Sequence, residues 1–130
     1  MNMRKPLSAG MLIILGLVGC KTVNSVDVSS SGEYNWIKTD SQMSDMAWVR
    51  RANKERQGGL LHVQVEIHNT TSNDGTFLYR FVWMNANGFT VETPLTTWER
   101  RTILARQTIT LDGVAPDSSI TDCRVEMKRD

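Results

Sequence analysis

Beyond about residue 46, hydrophobic and polar positions alternate along this chain with a period of two, which predicts strands and not helices. LHVQVEIH is the cleanest case. Leu61, Val63, Val65 and Ile67 face one way, and His62, Gln64, Glu66 and His68 face the other. TTSNDG (Thr70 to Gly75) is a dense turn cluster, and the TFLYRFVWMN that follows it directly carries an aromatic at every second position: Phe77, Tyr79, Phe81 and Trp83. NANG (Asn85 to Gly88) closes that strand with a hairpin-type turn. Further strands are predicted around Phe89–Glu92, Trp98–Leu104 and Gln107–Leu111, and near Thr121–Lys128 after the APDSS break. MAWVRRA (Met46 to Ala52) suits either period, but its β-branched and aromatic content and the QGG turn at Gln57–Gly59 favour a strand paired to the next one. Six or seven short strands with turns roughly every eight to twelve residues predict an all-β, antiparallel sandwich.

Aromatic and β-branched side chains are the usual content of a sandwich interior, so the aromatic face of TFLYRFVWMN is expected to be core. The opposite face is less ordinary, because Leu78, Val82 and Met84 flank Arg80 there. If the LHVQVEIH strand lies alongside, its polar face is the neighbour of this apolar strip. The strip then needs cover. Leu78, Arg80, Val82 and Met84 are therefore the expected partner-binding face. Tyr34 and Trp36, a second copy of the chain, or another protein are the candidate covers.

The N-terminal third follows another pattern. Arg4 and Lys5 precede the apolar run MLIILGLV, which is too short to span a membrane and reads as a secretory signal peptide over residues 1–19. LVGC (Leu17 to Cys20) resembles the bacterial lipobox, which implies cleavage before Cys20 and lipidation there. Lys21 stands where aspartate would signal inner-membrane retention, favouring the periplasmic side of the outer membrane. Residues 20–44 are polar and aperiodic, with SSSG at Ser29–Gly32, and read as a flexible tether to a single domain over 45–130. Charge changes little in this picture. Of 15 basic residues, loss of Arg4 and Lys5 leaves 13 against 14 acidic ones, a net of −1. Nothing in that balance points to nucleic acid. With Cys20 taken by lipid, Cys123 is a lone thiol, alternating with Val125 and Met127 as a buried residue would.

Several stretches together resemble a known family: GLLHVQVEIHNTTS (Gly59 to Ser72), YRFVW (Tyr79 to Trp83) with NANG after it, the isolated Trp98, and LDGVAPDS (Leu111 to Ser118). They resemble the YcfL-like small bacterial lipoproteins over about Asp45 to Asp130. The resemblance implies an immunoglobulin- or fibronectin-like sandwich and no assigned reaction, so no catalytic residue carries over. Two departures fall in turns. The family often has an acidic residue where Asn85 or Asn87 stands, and Pro-Gly where Ala105 and Arg106 stand.

Candidate chemistry is sparse. His62 and His68 share a strand face but sit about 20 Å apart at roughly 3.3 Å per residue, too far to share an ion. No nucleophile elbow is present, and Glu92, Glu99, Asp112 and Asp117 are scattered with no reason to pair two of them. WVRRANKER and WERRTILAR each place two arginines just after a tryptophan. Arg50, Arg51, Arg100 and Arg101 would form a basic patch if the fold brought them together, or would simply protect exposed edges. The expectation is a membrane-anchored, non-catalytic module without metal or cofactor. It would contact an envelope protein or a second copy of itself. The alternatives are a lipoprotein that binds a cell-wall fragment or a wall-degrading enzyme, and an enzyme with a site built across strands.

Overall fold

The computed structural model describes residues 34–130. The expected signal peptide, Cys20 and the first part of the tether lie outside them. From Tyr34 onward the chain belongs to the domain, which therefore begins eleven residues before the expected boundary at residue 45. Ile37–Thr39 form β1, paired parallel to the last strand, and Ser41–Met46 form a short helix, α1. Asp40 caps α1 by accepting the Met43 amide at 2.8 Å. The spacing of Met43 and Met46 turns both side chains onto one face, where they are buried with Ile37. Six residues are too few for a helical period to stand out in a polar stretch. Trp36 and Tyr34 pack against the core edge rather than over the outer face of the aromatic strand.

After α1 come β2 (Ala47–Gln57), β3 (Leu60–Asn69), β4 (Gly75–Asn85), β5 (Thr90–Val91), a 3-10 turn (Pro94–Thr96), β6 (Glu99–Ile103), β7 (Thr108–Val114) and β8 (Ile120–Arg129). They form two sheets. One is three-stranded in the order β2-β3-β7. In the other, β1-β8-β4 is extended on the far side of β4 by β6 at Gly75–Tyr79 and by β5 at Trp83–Met84. All pairings but β1 with β8 are antiparallel. The all-β sandwich is as the alternation predicts, with one very short strand, β1, added, and the strand expected around Phe89–Glu92 reduced to Thr90–Val91.

One inference from the pattern needs correction. β3 and β4 do not pair. Residues 70–74 carry the chain from one sheet to the other, so Leu61, Val63, Val65 and Ile67 meet Phe77, Phe81 and Trp83 across the sandwich. These residues are all buried, each contributing about 1.5–3 kcal/mol by leaving water. Tyr79, at the edge, is half-buried. The strand beside the outer face of β4 is β8, not β3.

The registers give the sandwich two distinct ends. Asn85 lies opposite Ile120, and Arg56 donates to the Ser118 and Ile120 carbonyls, which gathers the turns at 57–59, 86–89 and 115–119 at one end. Ile37 pairs with Val125, itself opposite Phe81, so the chain enters the sheet between the two ends. The opposite end holds α1 and the turns at 70–74 and 104–107. There the Gln107 amide donates to the Leu104 carbonyl, and Arg106 has φ 62°, the pattern of a type II turn. Proline then glycine is the usual central pair for that turn. Here the Ala105 amide donates to Asp74 at 2.9 Å, which proline could not do, and the Arg106 guanidinium reaches the Thr70 carbonyl. Side-chain bonds offset the backbone strain. At Asn85, the side-chain oxygen accepts from the Asn87 and Phe89 amides, a role open to a carboxylate as well.

Candidate functional site: a cleft at the split edge of the five-stranded sheet

The face expected to bind a partner is covered by its own chain. Register places Arg80 beside Glu126 and Val82 beside Arg124. Arg80 and Arg124 hold the two oxygens of Glu126 at 2.8 and 2.9 Å. Trp98 lies against both Arg80 and Lys128, whose cationic groups are 4.4 and 4.3 Å from its ring centroid. Thr90, Glu92 and Thr96 line the recess over Val82, which is only 6% exposed. Leu78 and Met84 are half-buried. The segment from β5 to Trp98, not the N-terminal segment, supplies the cover. Val82→Glu is therefore expected to destabilise the domain by about 1–3 kcal/mol, moderated by Arg80 and Arg124 nearby, as read by urea unfolding.

Burial by itself would raise the Glu126 carboxyl. Hydrogen bonds and charge from Arg80 and Arg124 outweigh it and hold the group below its ordinary 4.5. A pKa lower in the folded than in the unfolded state stabilises above about 4.5, and that contribution disappears as pH falls through the folded value. Below pH 4.5, wild-type stability should fall more steeply with acid than that of Glu126→Gln, measured by denaturant midpoints across the range.

The other candidates are dispersed. Arg50 and Arg51 are on β2 and Arg100 and Arg101 on β6, at opposite lateral edges of the sandwich, so no joint basic patch forms. Arg51 pairs with Glu66 and Arg100 with Asp130, each at 2.8 Å. On the outer face of β3, Glu66 is thus engaged, and His68 Nδ1 bonds the Thr108 hydroxyl at 2.8 Å. Cys123 is buried, and burial pushes its thiol up to about 12.

A cleft opens where β5 and β6 leave the middle of β4 without a neighbouring strand on the edge away from β8. It has a volume of about 190 Å³ and is lined by Tyr79, Phe81, Trp83, Glu99, Asp112 and Val114, among others. β4 supplies the rings because its inward positions alternate. Phe81 and Trp83 stack at 5.7 Å, and Tyr79 meets Phe81 edge-on at 5.9 Å. β7 closes over them through Gly113, where a Cβ would come within 3.0 Å of the Phe81 ring. The Tyr79 hydroxyl donates to Glu99 at 3.2 Å, and burial, then the Glu99 charge, raises its pKa. The buried Trp83 Nε1 finds no acceptor among the described residues. Rings and a tyrosine–carboxylate pair make a site that can hold a group. Sequence reasoning missed it because Glu99 and Asp112 come from different sheets, 13 positions apart and with no shared local pattern.

The family model described as "Protein of unknown function (DUF1425)" matches residues 35–129. The chain belongs to the DUF1425 family. The match begins within the segment that leads into β1, so the DUF1425 unit includes β1 and α1. The DUF1425 fold here is similar to that of a family member from Shewanella sp. pv-4, with a TM-score of 0.59 and 20% identity over 65% of this chain and 78% of that one. It is also similar to Campylobacter jejuni cj0090, with a TM-score of 0.63 and 22% identity over 74% of this chain and 99% of that one. At these identities the likeness concerns the fold. Comparison with curated proteins gives no match.

Proposed function

We propose that this DUF1425 chain is a YcfL-like envelope lipoprotein, anchored through Cys20 to the periplasmic side of the outer membrane and acting by binding rather than catalysis. Support for the anchor is the LVGC sequence after an apolar signal. Each buried acyl methylene contributes about 0.8 kcal/mol, so several chains on one cysteine would hold the domain lastingly. Anchorage raises the local concentration of the domain for anything else at that surface.

The observation that carries the binding role is the lateral cleft. Its volume of about 190 Å³ is below the roughly 300–1,000 Å³ usual for small-molecule sites, and suits one large side chain or one sugar-sized unit better than a whole cofactor. An envelope protein presenting such an anchor side chain is the favoured partner. A cell-wall fragment is the second reading, favoured by the Glu99 and Asp112 carboxylates at the cleft.

The test places a photo-crosslinking residue at Val114, on the cleft rim, in the full-length protein in cells, with the buried position 82 as control. Adducts at 114 absent at 82, identified by mass spectrometry as one protein or one wall fragment, support binding and distinguish the two readings. Adducts only to a second copy would make the protein self-associating, and no adduct at 114 would remove the cleft as the acting site.

A further inference from the structure

The three-stranded sheet ends in two outer strands, β2 and β7, and they differ in how their edges are protected. β2 carries Arg50, Arg51, Lys54, Glu55 and Arg56, and its register shifts between Val49 and Arg51. Lys54 reaches across to Asp122 at 2.6 Å, and Arg56 donates to the Ser118 and Ile120 carbonyls. Charges, a bulge and side chains bridged to the other sheet keep an edge from pairing with another chain. β7 is plain by comparison. Its seven residues, TITLDGV, hold one charge, Asp112, and no proline, and its register with β3 runs without a break.

Hydrogen bonds at its two ends decide which backbone groups of β7 point outward. The Asn69 amide donates to the Gln107 carbonyl at 2.9 Å, and the Ala115 amide to the Leu61 carbonyl at 2.8 Å. Both pairs lie on the register that joins β3 to β7, so Ile109, Leu111 and Gly113 exchange hydrogen bonds with β3. Thr108, Thr110, Asp112 and Val114 alternate with them and turn their amides and carbonyls to the outer edge. Among the described residues, no strand pairs with β7 on that side. Donors and acceptors repeated about every 6.6–6.8 Å match an extended peptide backbone, a spacing that neither a sugar chain nor a lipid reproduces.

A strand laid along this edge presents its side chains alternately to the two faces of the sheet. The one beside Gly113 points inward, where Gly113 has no side chain of its own, into the cleft walled by Tyr79, Phe81 and Trp83. A second copy of β7 could satisfy the backbone groups but not the cleft. Its inward side chains, Ile109 and Leu111, are already buried in its own core. A segment without a core of its own can do both.

We infer that the outer edge of β7 receives an extended segment of a partner protein, which adds a fourth strand to this sheet and seats one apolar or aromatic side chain in the cleft. This rests on the binding role proposed for the cleft and gives the partner its chemistry, a peptide in strand conformation.

The experiment selects binders from a random library of linear peptides on the full-length lipidated protein in nanodiscs, with empty nanodiscs to remove lipid binders. A selected peptide is made with a fluorescent end group in two N-methylated forms, each blocking alternate backbone amides, and binding is read by anisotropy. The form whose methylated amides face β7 should bind at least about tenfold more weakly than the parent peptide, and the other should stay within about threefold. Thr110→Pro removes one outward amide and spares the bonds to β3, so it should weaken the parent peptide while Thr110→Ala does not. The N-methyl comparison leaves the protein unaltered and decides the matter even where Thr110→Pro disturbs the fold. Equal binding by the two forms, or no selected peptide at all, overturns strand addition. If the two forms bind equally but Tyr79→Ala abolishes binding, the cleft acts without an added strand and the earlier reading stands. Indifference to Tyr79→Ala as well would remove the cleft too.

Discussion

Asn69→Leu is expected to lower the melting temperature by about 12 °C or more, from a loss of about 3–4 kcal/mol at roughly 4–8 °C per kcal/mol for a domain of this size. Asn69 is the one fully buried polar side chain among the described residues. Its amide donates to the Asn73 carbonyl at 2.8 Å and to the Ile103 carbonyl at 3.1 Å. Its oxygen accepts from the Thr71 amide at 2.9 Å and the Thr71 hydroxyl at 2.8 Å. One side chain thereby shapes the turn that carries the chain between sheets and ties it to the end of β6. Leucine has similar volume but leaves these groups unpaired, each costing about 1–3 kcal/mol where water cannot reach. Ser72→Ala, in the exposed part of the same turn, is the control and should change little. Thermal melts of both variants decide the matter: a small shift for Asn69→Leu would mean that water replaces the bonds and that the turn does not depend on them.

Gly75→Ala should be nearly as damaging, at about 3 kcal/mol, although it adds a single methyl group. A Cβ at position 75 would fall 2.0 Å from Met46 Sδ and within 3.4 Å of Met46 Cγ and Cε. Met46 is itself buried at the end of α1, so it has little room to withdraw. Relief requires α1 to move off the start of β4. Met46→Ala in the same chain opens space for the new methyl. The double variant should be more stable than the sum of the two single changes predicts, a coupling that a double-mutant cycle in urea measures directly. Strict additivity would mean that the clash is relieved elsewhere.

Both residues stand in stretches whose sequence suggests nothing unusual. Asn69 ends a regular alternation and begins a polar turn cluster, and Gly75 reads as one more turn glycine. Their roles come from contacts with residues 34 and 29 positions away, Ile103 and Met46. The cleft has the same origin. The alternation in β4 announces four rings on one face, and three of them are buried as such a face predicts. That the edge beside them is split between β5 and β6, and that Glu99 and Asp112 reach it from two sheets, depends on pairings over long sequence separations.

What the chain determined by itself is the class of fold, the position of most strands and the inward aromatic face. These follow from local periodicity and short motifs, where neighbouring residues suffice. The tertiary structure decided that Ile37 and α1 belong to the domain, that β3 and β4 lie in opposite sheets, and that residues 90–98 cover the outer face of β4. A period of two states that a strand has two faces, but not which strand lies beside it. A five-residue turn can close a hairpin within a sheet or cross to the other one, and packing against the whole core selects between them.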